Sequence, residues 1–505
     1  MVSEGIRLPP AARPEALPAA PRLPAAPGWA RPDPVDELAE RLDDFVAAAV
    51  HPDEIAALLE SDGLSDARIR ERYGVQNSFA LAEELYERVG RRYPEPDGPV
   101  HDPWQAGLLG CLLRGVVFAL PGLAYVLGAP LLAGPSGDVG LPAGAIPLLG
   151  CALTGWAWNQ ALAHRAYSWL GLGDLSAARR CLLVGAPLGA LLGTLTALAV
   201  AGGAEPAVVA FAAGQSCYLG ASTALLVLGR ERALLGALLP MAAGAVAAAP
   251  TDAPEAARVT LLLGSLAAVV AVALREVAPA AKELGEGSWT AGLTALLPFG
   301  ALGAPPRRTS GPRLAASLPY ALFGLAGGVL VLHAALGDVL TGQERSAFAA
   351  PAAVALTLSM GPAEWLLHRF RSGSLAGLRS TSTPRAFRRA TARTVVRCLT
   401  GYLAALLALA SATAALWPHT PFPGGVRLAG LLLLGVVLWT GLLLQSFGAV
   451  LGAAAICGAA ALAQTLALVT HTGAPHLAGP TVYGCAAAAQ AALVCGLLGR
   501  ATAHR

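Results

Sequence analysis

From Trp104 onward the chain is a succession of apolar runs, each of about 20 residues and so long enough to cross the ~30 Å hydrocarbon layer of a bilayer as a helix. Few folds satisfy such a pattern. Backbone N–H and C=O groups find no water in lipid, and a helix pairs them within the run itself. Composition agrees: 55% of the 505 residues are hydrophobic and 13% charged, the latter about half the share usual in soluble domains. An ordinary soluble enzyme is excluded. The expected fold is an all-α integral membrane protein with about twelve transmembrane helices. They fall near 106–130, 142–168, 181–202, 205–228, 232–250, 256–275, 314–336, 347–368, 394–417, 427–446, 448–470 and 477–499.

The connectors set an orientation. Alternate loops and the C-terminal end hold 20 Lys and Arg residues, among them Arg179, Arg180, Arg230, Arg388 and Arg389, whereas the intervening set holds Arg258, Arg345 and Arg427. Such a bias keeps the basic loops inside. It predicts a multi-pass protein of the cell membrane with both termini in the cytoplasm.

The N-terminal fifth is different. Residues 1–34 are rich in Pro and Ala, lack the charged start and apolar run of a secretory signal, and read as a disordered tail. Residues 35–100 carry helical spacing and read as a small acidic helical domain. Val35, Leu38, Leu42, Phe45 and Val46 make one stripe, Gly74 ends a segment with Ile69 and Tyr73, and Ser78 is placed to cap the next helix. The cadence over 63–85 is that of a helix-turn-helix, but residues 33–97 hold 17 acids against 7 arginines. DNA binding requires the opposite sign, so no nucleic acid partner is expected and a cytoplasmic protein partner for 35–100 is.

Six runs precede the connector at 281–313 and six follow it, dividing the body into bundles over 105–280 and 314–500. An even number per half gives both halves the same orientation, a parallel repeat. The halves share a signature at the same helix end: Gln160-Ala161-Leu162-Ala163-His164-Arg165 and, 204 residues later, Glu364-Trp365-Leu366-Leu367-His368-Arg369. His164, Arg165, Glu364, His368 and Arg369 are candidate cytoplasmic gate residues, or else snorkelling anchors for the helix ends. Arg114, inside the first run, is costly in lipid, and its planar fork suits phosphate. With Asn159, Gln160 and Gln215 it forms the candidate substrate cavity; the alternative has Arg114 reaching the headgroups.

None of the eight cysteines forms a CxxC pair, His164 and His368 are each followed by Arg, and the spans contain no HxxxH. No metal, cofactor or catalytic residue is predicted, and the chain does not read as an enzyme. Gly189–Gly193 and Gly448–Gly452 have the GxxxG spacing of close helix contacts.

Two six-span halves and a loop reading Gly171-Leu172-Gly173-Asp174-Leu175-Ser176-Ala177-Ala178-Arg179 after the second span resemble the MOP exporter superfamily. That group includes MATE multidrug exporters and flippases for polysaccharides and lipid-linked precursors. The resemblance implies alternating access around a central cavity, with membrane lipids as surroundings and a lipid-linked carbohydrate or other amphiphile as substrate. It also likens Arg114 to the first-helix arginine of the lipid-carrier flippases. Spans one to six hold no mid-membrane acid of the kind cation-coupled members use. The competing reading is a non-transporting scaffold with a degenerate transporter fold, its acidic domain recruiting cytoplasmic partners.

Overall fold

The computed structural model describes residues 33–90, 92, 107–132, 141, 144–202, 206–248, 253–285, 312–340, 351–380, 383–416, 425–472 and 474–498. Among them every regular element is helical. Two compact units emerge, 1–101 and 102–505. The expected tail lies outside the described residues except at 33–34, as does the connector over 286–311.

The first unit contains α1 (Pro34–Arg41), α2 (Asp43–Ala48), α3 (Pro52–Ser61), α4 (Asp66–Tyr73) and α5 (Ser78–Arg88). Ile55, Leu59, Ile69, Leu81 and Leu85 are fully buried at its centre. Asp33 starts α1 by accepting the Val35 N–H at 3.0 Å, ahead of Pro34 in the first turn. That bond, together with the guanidinium of Arg88 at 2.9 Å, holds the Asp33 carboxyl below its ordinary 3.8. Two expectations fail here. The stripe over 35–46 is not one helix, because the backbone leaves helical geometry at Leu42 (φ −104°, ψ 11°) and the periodicity restarts. Val35, Leu38 and Val46 still reach the core, but Phe45 turns outward and is 42% exposed. The cap of α5 is Asn77, which accepts from the Ala80 N–H at 2.9 Å, while Ser78 donates to Glu60 at 2.8 Å and ties α3 to α5.

The second unit begins with α6 (Leu108–Ala119) and α7 (Gly122–Leu132), separated where Pro121 withholds a backbone donor. There follow α8 (Ala145–Gly171), α9 (Leu175–Ala199), α10 (Pro206–Val227), α11 (Glu231–Ala248) and α12 (Glu255–Gly285). A single 3₁₀ turn at 314–317 leads into α13 (Leu318–Leu340). The chain ends with α14 (Pro351–Leu358), α15 (Met360–Ser380), α16 (Pro384–Leu416), α17 (Gly425–Ser446), α18 (Val450–Val469) and α19 (Pro475–Leu498). Ten helical stretches among the described residues are long and apolar enough to cross a membrane. The chain is thus a polytopic all-α membrane protein. The stretches expected at 142–168 and 347–368 form α8 and the pair α14–α15, yet do not belong to the ten. The polar residues that carry the repeated signature lower their apolarity, and α14 ends at Leu358 after eight residues.

Helix neighbours recur in part along the second unit, although the extensive α8–α10 contact has no equal between α15 and α17 among the described residues. Contacts α8–α9, α9–α10, α10–α11, α10–α12, α11–α12 and α9–α12 are matched in order by α15–α16, α16–α17, α17–α18, α17–α19, α18–α19 and α16–α19. One apolar core draws on α6 to α12, including Leu182, Leu225, Leu234 and Val269. Another draws on α13 to α19, including Leu330, Phe370, Leu434 and Trp439. The loop motif has a local cause as well. Gly173 adopts φ 76°, which ends α8, and Asp174 caps α9 by accepting the Ala177 N–H at 2.7 Å. Of the GxxxG pairs, Gly189 and Gly193 admit Trp158 and Ser216 at distances no Cβ would tolerate. Gly448 is instead a turn residue at φ 77° with open space around it.

Candidate functional site

The helices of the two apolar cores meet where α6 packs on α14 and α15, and where α13 packs on α8. Both contacts are made possible by missing side chains. A Cβ on Gly361 of α15 would lie 2.7 Å from the Cys111 carbonyl oxygen, and one on Gly115 of α6 would lie 2.9 Å from that of Leu358. A Cβ on Gly324 of α13 would lie 2.7 Å from the Trp156 carbonyl oxygen. Backbones touch at both places, so polar side chains nearby are drawn across the contact.

At the first contact those side chains are charged. Arg114 extends from α6 and bonds Glu364 of α15 with one terminal nitrogen. The other terminal nitrogen donates to Glu231 Oε1, on the first residue of α11, at 2.6 Å. His368, one turn after Glu364, holds its Nε2 3.7 Å from the same carboxylate oxygen. Arg230 pairs with Glu276 of α12 at 3.0 Å beside this group. The Arg114, Glu364 and Glu231 side chains are 38%, 24% and 19% exposed, so water screens the pairs only in part. One guanidinium between two carboxylates leaves a net negative group. Such a group would repel a phosphate, which makes it a better fastener than an anion clamp.

At the second contact the same signature makes no ion pair among the described residues. His164 Nδ1 lies 3.0 Å from Ser317 Oγ, and its ring stacks on Tyr320 with centroids 3.7 Å apart. Arg165 donates to the Pro312 carbonyl at 3.0 Å. Gln160 lies under Gly324, where a Cβ would stand 2.8 Å from its Cγ.

The remaining candidates have partners elsewhere. Asn159 Nδ2 donates to Gly155 of its own helix at 2.8 Å. Gln215 accepts the Tyr125 hydroxyl at 2.6 Å and donates to Leu148 at 3.4 Å. Arg369 lies over the Trp365 ring at 5.1 Å. The structure therefore joins Arg114, Glu364 and His368 across one contact and Gln160, His164 and Arg165 across the other. Glu231 was missed because it stands between Arg230 and Arg232 and reads as loop charge. Ser317 and Tyr320 gave no signal beyond lying about 204 residues after Arg114. Among the described residues no three His, Cys, Asp or Glu side chains converge to hold a metal. No protein-family model matches the chain, and no curated protein matches it in sequence.

Proposed function

We propose that the chain is a transporter or flippase for an amphiphile, built as two six-helix bundles that rock about the α6–α15 and α8–α13 contacts. In this reading α8 and α14–α15 cross the membrane with the ten apolar stretches, giving twelve spans, and the arginine-rich loops face the cytoplasm. What carries the proposal is the Arg114–Glu231–Glu364 group bridging the two halves. Glu231 starts α11 beside the basic loop and Glu364 lies next to the interfacial Trp365, so the group stands at the loop end of the helices, where it fastens elements that belong to different cores. The recurring helix neighbours supply the pseudo-symmetry that alternating access uses. Opening on the loop side requires Arg114 to leave Glu364 while keeping Glu231.

A fastener worth about 1–3 kcal/mol shifts the ratio of closed to open forms by roughly 5- to 150-fold. The test is a labelled-lipid flipping assay with the purified chain in vesicles, comparing Arg114→Ala, Arg114→Lys and Glu364→Gln. Flipping above protein-free vesicles is expected, with Arg114→Ala altering the rate several-fold and Arg114→Lys lying between. Rates equal to protein-free vesicles in every variant would overturn transport. The acidic first unit, with a core of its own, supports the scaffold reading as the alternative. Deleting residues 1–100 separates them, since a transporter keeps its flipping rate and a scaffold loses its partner.

A further inference from the structure

The helices that follow the second signature carry charge of one sign. Between residues 360 and 400 stand eight arginines and one acid, Glu364. Arg385, Arg388, Arg389, Arg393 and Arg397 are all exposed along α16. That helix has 33 residues and so measures about 50 Å, far more than the hydrocarbon layer needs. Its apolar part begins directly after Arg397, and residues 398–416 measure about 29 Å, a full crossing. Arg397 therefore sits at the hydrocarbon boundary, the depth at which lipid phosphates lie, and the other four arginines lie beyond it.

At this depth α15 and α16 leave a cavity of about 450 Å³, lined by Trp365, Arg369, Ser372, Thr394, Arg397 and Cys398 among others. The volume falls within the range of small-ligand sites. Arg369 enters from α15, its guanidinium steadied over the Trp365 ring, and Arg397 enters from α16. Among the described residues neither arginine makes an ion pair. Trp365 is the kind of amphipathic ring that settles at a membrane interface. Two guanidinium groups from facing helices, with an aromatic wall beside them, form a receptor for a tetrahedral anion with an apolar tail.

We infer that this cavity binds the phosphate of an anionic lipid headgroup, its oxygens shared between Arg369 and Arg397 and its acyl chains lying along the apolar part of α16. The site is separate from the Arg114 group, whose net negative charge excludes it from the role. The inference holds whether or not the chain transports.

The experiment is native mass spectrometry of the full chain in detergent with added phosphatidylglycerol, phosphatidylcholine serving as the zwitterionic control. Three proteins are compared: the parent, the Arg369→Gln/Arg397→Gln double variant, and an Arg388→Gln/Arg389→Gln double variant that removes equal charge outside the cavity. A bound phosphatidylglycerol that survives detergent removal is expected on the parent and the second variant. It should fall at least about fivefold on the first, as loss of basic contacts at a membrane surface implies. Millimolar inorganic phosphate should compete only weakly, because it lacks the tail; full displacement would assign the site to a soluble phosphate and overturn the lipid assignment. Equal loss in both double variants would reduce the effect to diffuse attraction, and retention in both would remove the site. Matching melting temperatures, or retained phosphatidylcholine adducts, show that the exposed substitutions left the fold intact.

Discussion

The α6–α15 and α8–α13 contacts both join the two apolar cores and carry the same sequence signature, yet one holds an ion pair and the other holds none among the described residues. Glu364 and Gln160 are counterparts 204 residues apart; the carboxylate recruits Arg114, whereas the amide packs beneath Gly324. His368 and His164 are likewise counterparts. The first lies near a carboxylate, and the second meets a hydroxyl and a stacked tyrosine. Close backbone approach is common to both contacts; chemistry is not. An ionic contact responds to a single altered charge, while a stacked, hydrogen-bonded one keeps its geometry through the same change. The pair thus suits a device with one releasable side and one that pivots.

The comparison breaks most readily at the glycines. Gly361→Leu and Gly324→Leu should each destabilise by about 3 kcal/mol, since backbone atoms cannot yield to a new side chain. Thermal unfolding in detergent would show similar losses, and a much smaller loss at either glycine would mean that its contact is not tight. Arg114→Ala comes next, at about 1–3 kcal/mol for a half-screened pair left with two unpaired carboxylates. In a background where Cys111 is the sole cysteine, the same change should speed maleimide labelling there, because Cys111 is buried one turn away on α6. Unaltered labelling would show that Arg114 does not hold the contact shut.

His164→Ala tests the side without an ion pair, with an expected loss of about 1.5 kcal/mol from one hydrogen bond and one stacked ring. The loss should be the same at low and high salt, whereas that of Arg114→Ala should shrink as salt rises. Smallest are Glu231→Gln and Glu364→Gln taken singly, about 1 kcal/mol or less each, because the remaining carboxylate keeps Arg114 paired. The double variant should lose more than the sum of the two, which a double-mutant cycle would measure. Simple additivity would mean that the two acids do not share one guanidinium.

Much of the architecture was legible in residue order. Apolar run length placed twelve spans, of which ten are long and apolar enough among the described residues, while nothing in the repeated signature showed that its two copies would face other helices at backbone contacts. Local chemistry was read less well. Leu42 fits an unbroken stripe on periodicity alone, but its backbone leaves the helix, and Asn77 outcompeted Ser78 as a cap by a matter of one residue. Arg114 illustrates the larger gap. A lone arginine in an apolar run signals an anion site when its partners are unknown, and Glu231 and Glu364 lie 117 and 250 positions away.

The sequence by itself determined that the body of this protein is a set of lipid-crossing helices with basic residues concentrated in alternate connectors. Those properties follow from hydrophobic transfer and backbone pairing, which act on each run independently. Only the tertiary structure decided which charges face one another. Pairing depends on distance, and distance across the bilayer-spanning unit is set by how closely Gly361 and Gly324 let the backbones approach.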